Sequence, residues 1–521
     1  MKNNSIYFII VGIIFAALTD SFSSGALSFG AFDMQGNLSA TNDEFVWLNI
    51  LYVSFKLIAF MTTPSILERI EITKALKTAI LLLVISCFLS TLTSDLNLQY
   101  ILRVVQGFSG GVLLISAQTF LFHEFSKKEQ PFIQAFFAIG AVIAPATFIV
   151  GFNGLLIDTY TWKMIYLATI PLGLLSLLIL SFVDESKFKE VELRKFDFSG
   201  LILFVLFIFP TIYVLYQGNR YNWFDDSHIV ILTIVSVGSL ISFILWQTFK
   251  HDSLVETKIF KTNSFTFGVV VSLVAGGALF GSGAVFTTFS IQVLGLTLSD
   301  SGMLYLYSGF MFFLSAFFTA FIIQTLSRSP FTTIPFGLAG FAFSMYLLSR
   351  TSFQSGMDDL LTPMLIRGAS MGFLFLALTI IAINSLPKRL MSYGIGVFST
   401  TRQLGGTLSI AVLSGLLTHD KAQNYNALSS NIVKNSTNVT DWLNAYASKL
   451  SVTTLDEQTT MSLLSKALNE QVMALSYSNA FLYLIYLILL AIPCILITKK
   501  LLAKFNPEIS ISSKQEKGVQ I

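Results

Sequence analysis

Apolar stretches of about 20 residues, separated by short polar breaks, recur almost from one end of the chain to the other. A helix rising ~1.5 Å per residue needs about that many to cross a ~30 Å hydrocarbon core, so each stretch predicts a membrane-spanning helix. The predicted spans lie near 6–28, 46–66, 75–93, 98–122, 132–156, 163–183, 198–217, 229–249, 265–292, 302–325, 332–350, 360–384, 392–417 and 477–498, fourteen in all. The first is too long for a signal-peptide core and lacks a small-residue cleavage site, so it is predicted to be a helix. Two polar stretches stand out. Residues 184–197 read as a linker between two halves. Residues 418–476 are rich in Ser, Thr, Asn and Gln, and the pieces 441–450 and 456–475 carry apolar residues at helical spacing (Leu463, Leu464, Ala467, Leu468, Val472). They predict short amphipathic helices. The runs Asn435-Ser436-Thr437 and Asn438-Val439-Thr440 match glycosylation acceptors, a pattern that such a loop also produces by chance.

Composition agrees with the pattern. The 521 residues are 54% apolar and 12% charged, with a mean hydropathy of +0.72, which excludes a soluble globular protein. Alternating the loops places most of the 32 Lys and Arg on one side, against Lys163, Arg220 and Arg350 in the short loops of the other. That bias predicts an inner-membrane protein with both termini cytoplasmic. The net charge of +3 thus reports membrane topology and not nucleic-acid binding. Cys87 and Cys494 sit in apolar spans as small packing residues. The four histidines show no metal-ligand spacing, and His123-Glu124 reads as an interfacial polar pair, with a proton relay as the alternative. No phosphate-binding loop or catalytic set is visible, so neither an enzyme nor a cofactor is predicted. A chain of many spans without an engine of its own draws on an ion gradient, as a secondary transporter does; a channel or an integral membrane enzyme is the less favoured alternative.

Charges inside the spans carry the rest. Lys56, Arg103, Arg367 and Arg402 face a single span carboxylate, Asp20. A charge at bilayer depth costs on the order of 3 kcal/mol or more, so such residues line cavities or pair with one another. The surplus of positive charge calls for an anionic ligand. Asp20 and Lys56 both fall near the middle third of the membrane and are predicted to form an ion pair between neighbouring helices. Span 4 carries Arg103-Val-Val-Gln106-Gly107-Phe-Ser-Gly110-Gly111. Span 12 carries Arg367-Gly368-Ala-Ser-Met-Gly372 at comparable depth and in the same direction. This repetition predicts two related halves with a site between them.

At these residues the chain resembles a known family. Arg103-x-x-Gln106-Gly107 resembles the fourth-helix motif of the major facilitator superfamily. Thr19-Asp20-Ser21 resembles the first-helix motif of its fourteen-span drug:proton antiporters of EmrB/QacA type. Trp47, Ala144-Pro145, Thr161-Trp162, Pro171-Leu172-Gly173, Asn222-Trp223-Phe224, Ser385-Leu386-Pro387-Lys388-Arg389 and Thr401-Arg402-Gln403 extend the likeness over nearly the whole chain. Two motifs depart from it. The loop after span 2 reads Pro64-Ser65-Ile66-Leu67-Glu68-Arg69-Ile70-Glu71-Ile72-Thr73-Lys74, without the usual glycines. Span 5 reads Phe148-Ile149-Val150-Gly151-Phe152-Asn153-Gly154 in place of the antiporter motif, and Lys56 lies outside the family pattern.

The resemblance implies an all-α integral membrane protein with the major facilitator fold. Two six-helix bundles (1–190 and 256–521) flank two additional transmembrane helices (191–255), with the long extracytoplasmic loop 418–476 inside the last unit. It implies a proton-coupled exporter, and the surplus of positive charge in the spans adds the expectation that its substrates are amphipathic, anionic organic compounds. Asp20 and Arg103 would couple protons. From their charge and hydrogen-bonding chemistry, and not from the resemblance, Lys56, Arg402, Arg367, Gln106, Gln118 and Gln403 are expected to meet substrate. Glu68 and Arg69 stand at the family's cytoplasmic loop and are expected to gate it. Arg103 is also a candidate for the substrate anion, and Arg367 for bracing a helix end. A periplasmic adaptor and an outer-membrane channel are partners of such exporters in Gram-negative cells. Two other readings stand beside this one: an uptake or exchange carrier for an organic anion such as a siderophore or carboxylate, and a non-transporting sensor on the same fold.

Overall fold

The computed structural model describes residues 3–29, 31–182, 195–250, 252–430, 441 and 457–505, and among them every regular element is helical. The first helices are α1 (Asn3–Phe29), the short α2 (Ala31–Asn37), α3 (Asn42–Leu67), α4 (Ile72–Leu92) and α5 (Leu96–Glu124). Then come α6 (Gln130–Ala138), α7 (Ala144–Ala146), α8 (Phe148–Thr159) and α9 (Lys163–Ser181). Beyond the linker lie α10 (Phe198–Gln217), α11 (Ser227–Phe249), α12 (Asn263–Gln292), α13 (Leu298–Gln324) and α14 (Ile334–Ser349). The last described helices are α15 (Met357–Ile383), α16 (Met391–Ser429) and α17 (Glu457–Phe505). Polar breaks supply the starts. Thr41 and Glu44 exchange hydrogen bonds at the head of α3, with Thr41 N–H donating to Glu44 at 2.9 Å. Asp95, Asp226 and Thr297 accept likewise from the first free N–H groups of α5, α11 and α13.

The helices pack in two groups. Helices α1, α3, α4, α5 and α9 contact one another, as do α12 to α17, while α10 and α11 form a hairpin resting on α3 and α16. The groups meet where α3 and α5 touch α16, and where α6 and α8 touch α13. Close backbone approach holds them, since lipid tails supply no hydrophobic drive between helices. Gly107 and Gly111 of α5 lie against the carbonyls of Tyr52 and Lys56 on α3, and Gly368 of α15 lies against that of Ser308 on α13. Between the groups, Gly151 of α8 packs on Gly302 of α13, and Gly154 on the Leu298 carbonyl.

Three expectations change. The span predicted at 132–156 is broken: Gln130–Ala146 and Phe148–Ile157 meet at 46°. Pro145 has no N–H and crowds the carbonyl four residues earlier. The wide π turn Ile139–Ile143 and the non-helical Thr147 (φ −147°, ψ −76°) absorb the misfit. Second, twelve described helices are long and apolar enough to cross a membrane, and the bent pair makes thirteen. The remaining predicted span, 392–417, is helical within α16, but polar positions such as Thr400, Thr401, Arg402, Gln403 and Thr407 lower its apolarity. Length and apolarity therefore do not confirm fourteen spans. Third, α16 runs to Ser429 and α17 starts at Glu457, so the apolar positions of 456–475 are the first turns of the last helix. The piece 441–450 apart from Asp441, both glycosylation-like runs, most of the linker and the Cys494 side chain lie outside the described residues. Cys87 is buried and free.

Candidate functional site

Tyr52 and Lys56 stand one turn apart on α3, so both point at the same stretch of α1. There they meet Asp20. Lys56 Nζ lies 2.7 Å from Asp20 Oδ2, and the Tyr52 hydroxyl donates to Oδ1 at 3.1 Å. Lys56 Nζ also donates to the Tyr52 oxygen at 3.2 Å. Asp20 is 2% exposed and Lys56 7%. Removing two charges from water costs several kcal/mol per ion, which only close pairing and full hydrogen bonding offset. Gly110 of α5 abuts Asp20 Oδ1, leaving room that a Cβ would fill. The ion pair expected from the sequence is formed, with Tyr52 and Gly110 as additional members.

Arg103 stands behind this group and is fully buried. Its Nη1 donates to the Ser23 carbonyl and to Gln106 Oε1, both at 3.0 Å, and Gln106 Nε2 donates to Ser90 Oγ at 2.9 Å. Arg103 Nε and Nη2 have no hydrogen-bond partner among the described residues. The charge instead faces the rings of Tyr52 and Tyr166, at 4.9 and 5.8 Å. Arg103 reaches Asp20 through Tyr52, and neither it nor Gln106 lines the cavity described next.

A cavity of about 240 Å³ lies between the two groups of helices. One wall carries Asp20, Asn49, Tyr52 and Lys56, with Pro145 of the broken span. The other carries Phe280 of α12 and Ser399, Arg402, Gln403 and Thr407 of α16; Tyr216 of α10 closes a side. Arg402 also borders a smaller pocket of about 20 Å³, where Gln118 donates to Gln134 Oε1 at 3.1 Å. Gln118 therefore adjoins the main cavity across Arg402 without lining it. Arg367 is elsewhere. Its Nε donates to Ser282 Oγ at 2.9 Å and its Nη2 to the Leu279 carbonyl at 3.1 Å, with Tyr305 beneath at 5.7 Å. It ties α15 to α12, the bracing role, and is absent from the cavity wall.

Glu68 and Arg69 lie on the face where α1 begins. The Tyr393 hydroxyl of α16 donates to Glu68 Oε1 at 2.6 Å, joining the two groups. Lys388 Nζ donates to the His123 carbonyl at 2.9 Å, and Lys127 Nζ to the Asn384 carbonyl at 2.7 Å. Arg69 turns back on its own helix, donating to the Ser65 carbonyl at 2.6 Å, and covers the Phe196 ring at 5.7 Å. Sequence reasoning named neither Tyr52 nor Tyr393, and it carried Gly110 in the span-4 motif without placing it at Asp20. The four-residue step from Tyr52 to Lys56 was the available signal for the first. The others depend on how separate helices meet.

Paired helix groups with a central polar cavity define a membrane carrier. The Major Facilitator Superfamily profile matches residues 11–410, and the chain belongs to that superfamily. It is 25% identical over 408 residues to the probable multidrug resistance protein EmrY of Escherichia coli (strain K12), covering 77% of this chain and 78% of that protein. It is 22% identical over 403 residues to the multidrug export protein EmrB of the same organism, covering 76% and 77%. In fold it resembles the human organic anion transporter MFSD10 (TETRAN), with TM-score 0.55 and 10% identity over 93% of this chain and 98% of that one. The protein is a transporter related to multidrug efflux proteins, and not an enzyme.

Proposed function

We propose that this chain is a proton-coupled exporter of small amphipathic organic compounds, seated in the inner membrane with both termini cytoplasmic. The observation that carries the reading is the Asp20–Lys56 pair bordering the cavity between the helix groups. A proton taken by Asp20 removes its charge and releases Lys56, so that the α1–α3 contact acquires two states with different electrostatics. Alternating access then rocks one helix group against the other around the cavity. Similarity to EmrB, by name a multidrug export protein, supports outward transport, and the Lys/Arg bias supports the orientation. In this reading 1–190 and 256–521 are the two bundles, 191–255 is the additional pair, and α16 crosses the membrane as the thirteenth of fourteen spans. The segment 418–476 faces the periplasm, where an adaptor leading to an outer-membrane channel would dock.

The test uses everted membrane vesicles holding wild type or Asp20→Asn, an amphipathic fluorescent dye and an imposed pH gradient. Wild type is expected to accumulate the dye in response to the gradient, and Asp20→Asn to lose that response by about tenfold or more, as for loss of a proton-transfer group. A variant whose flux follows the gradient as wild type does would refute the coupling role.

A further inference from the structure

We propose that Arg402 is the seat for one anionic group, a carboxylate or sulfonate, on an amphipathic substrate whose apolar body lies along Phe60, Leu279, Phe280 and Ile410. This names the substrate class for the transport reading above and rests on it. The argument is a comparison of the four span cations. Lys56 holds Asp20 at 2.7 Å. Arg103 is enclosed by the Ser23 carbonyl, Gln106 and two tyrosine rings. Arg367 is bound to Ser282, the Leu279 carbonyl and Tyr305. Arg402 makes no ion pair or hydrogen bond with any described residue. Its guanidinium stands over the rings of Phe375 and Phe398, at 5.9 and 5.7 Å.

A guanidinium carries five N–H donors in a planar fork and stays charged, and leaving that charge unmatched away from water is costly. Among the described residues the cavity wall offers one carboxylate, Asp20, already held by Lys56. Asp20, Lys56 and Arg402 together leave one positive charge uncompensated, which a monoanion balances. The fork fits a carboxylate or sulfonate through two parallel hydrogen bonds. Ser399 and Gln403, on the same helix and the same wall, offer further polar contacts to that group. Phe60 and Leu279, with Phe280 and Ile410, supply the apolar surface that a hydrocarbon body needs. Seating the anion on Lys56 instead would require breaking a buried 2.7 Å ion pair, so Arg402 is the less costly site.

The experiment measures binding of four probes with one shared alkyl chain to the purified full chain in lipid nanodiscs. The probes are decanoate, decanesulfonate, decyltrimethylammonium and decanol. The two anions are expected to bind the wild type more tightly than the alcohol or the ammonium. Arg402→Gln is expected to weaken decanoate roughly tenfold to a hundredfold, the size of a lost charge-assisted contact. Arg402→Lys retains the charge and is expected to recover part of that affinity, which separates lost charge from misfolding. Equal decanoate affinity in wild type and Arg402→Gln overturns the seat, as does loss of binding in Lys56→Gln with none in Arg402→Gln. Proton-driven dye flux without preferential anion binding overturns the seat and leaves the transport reading intact. Anion binding that depends on Arg402 without any proton-driven flux does the reverse.

Discussion

Asp20 is held by three groups with different tolerances for change. Lys56 approaches on a flexible stem, Tyr52 on a rigid ring, and Gly110 by having no side chain at all. The glycine is the least forgiving, because a methyl group there would overlap the carboxylate oxygen that accepts from Tyr52. Gly110→Ala is expected to push Asp20 off its partners and to destabilise the protein by about 1–3 kcal/mol, the usual cost of overpacking. Thermal unfolding in detergent reads the cost, and the vesicle assay should show the weakened gradient response of Asp20→Asn. Gly238 of α11 makes the contrast, since a methyl group added there would meet no atom within 4 Å; Gly238→Ala should gain up to about 1 kcal/mol from helix propensity alone. The pair was legible in the sequence because opposite charges at equal depth in adjacent spans have few other partners. The glycine contact was not, because spacing along one helix cannot say which residue of another helix it meets.

Element by element, hydropathy located the helices well and their interruptions poorly. Averaging over a window passes across Pro145, although that residue breaks the fifth span. It also stops at polar residues that α16 and α17 carry through as continuing helix. The α10–α11 hairpin shows what a polar end does when it is enclosed. Asp197, at the head of α10, accepts from Lys250 Nζ at 2.7 Å, the Gly200 N–H at 2.9 Å, and Trp246, Gln247 and the Leu254 N–H at 3.1 Å. Burial opposes its ionisation, but the bonds from Lys250, Gly200, Trp246 and Gln247 outweigh that and hold the carboxyl below the ordinary 3.8. The folded value being the lower one, this stabilisation is complete above about pH 3.8 and disappears as pH falls through the folded value. Asp197→Ala is expected to cost about 1–3 kcal/mol, less than a fully buried pair, because Lys250 is one-third exposed and can rehydrate. Melting curves from about pH 7 to about pH 3 should show the gap between wild type and variant narrowing only at the acid end.

For the whole molecule, composition and hydropathy sufficed to read a many-span membrane protein, and the motifs to read its superfamily. The contacts that join the two groups of helices were beyond such reading. Glu68 stood out only as a substitute for an aspartate in an eroded motif, yet it accepts from Tyr393 across the boundary between the helix groups. Lys388 and Lys127 add two further crossings, to the carbonyls of His123 and Asn384. Backbone carbonyls carry no sequence signal, so no residue pattern announces these bonds. All three lie on one face, and in the alternating-access reading each must break before that face opens. A single such hydrogen bond contributes on the order of 1 kcal/mol. Tyr393→Phe removes the hydroxyl while keeping the ring, so it should shift the balance toward opening at this face about fivefold, the population change that about 1 kcal/mol produces. Spin labels at Lys74 and Arg389, one on each side of the boundary, read the shift as a larger long-distance population in the variant. Identical distance distributions in variant and wild type would show that the Glu68–Tyr393 bond does not hold this face closed.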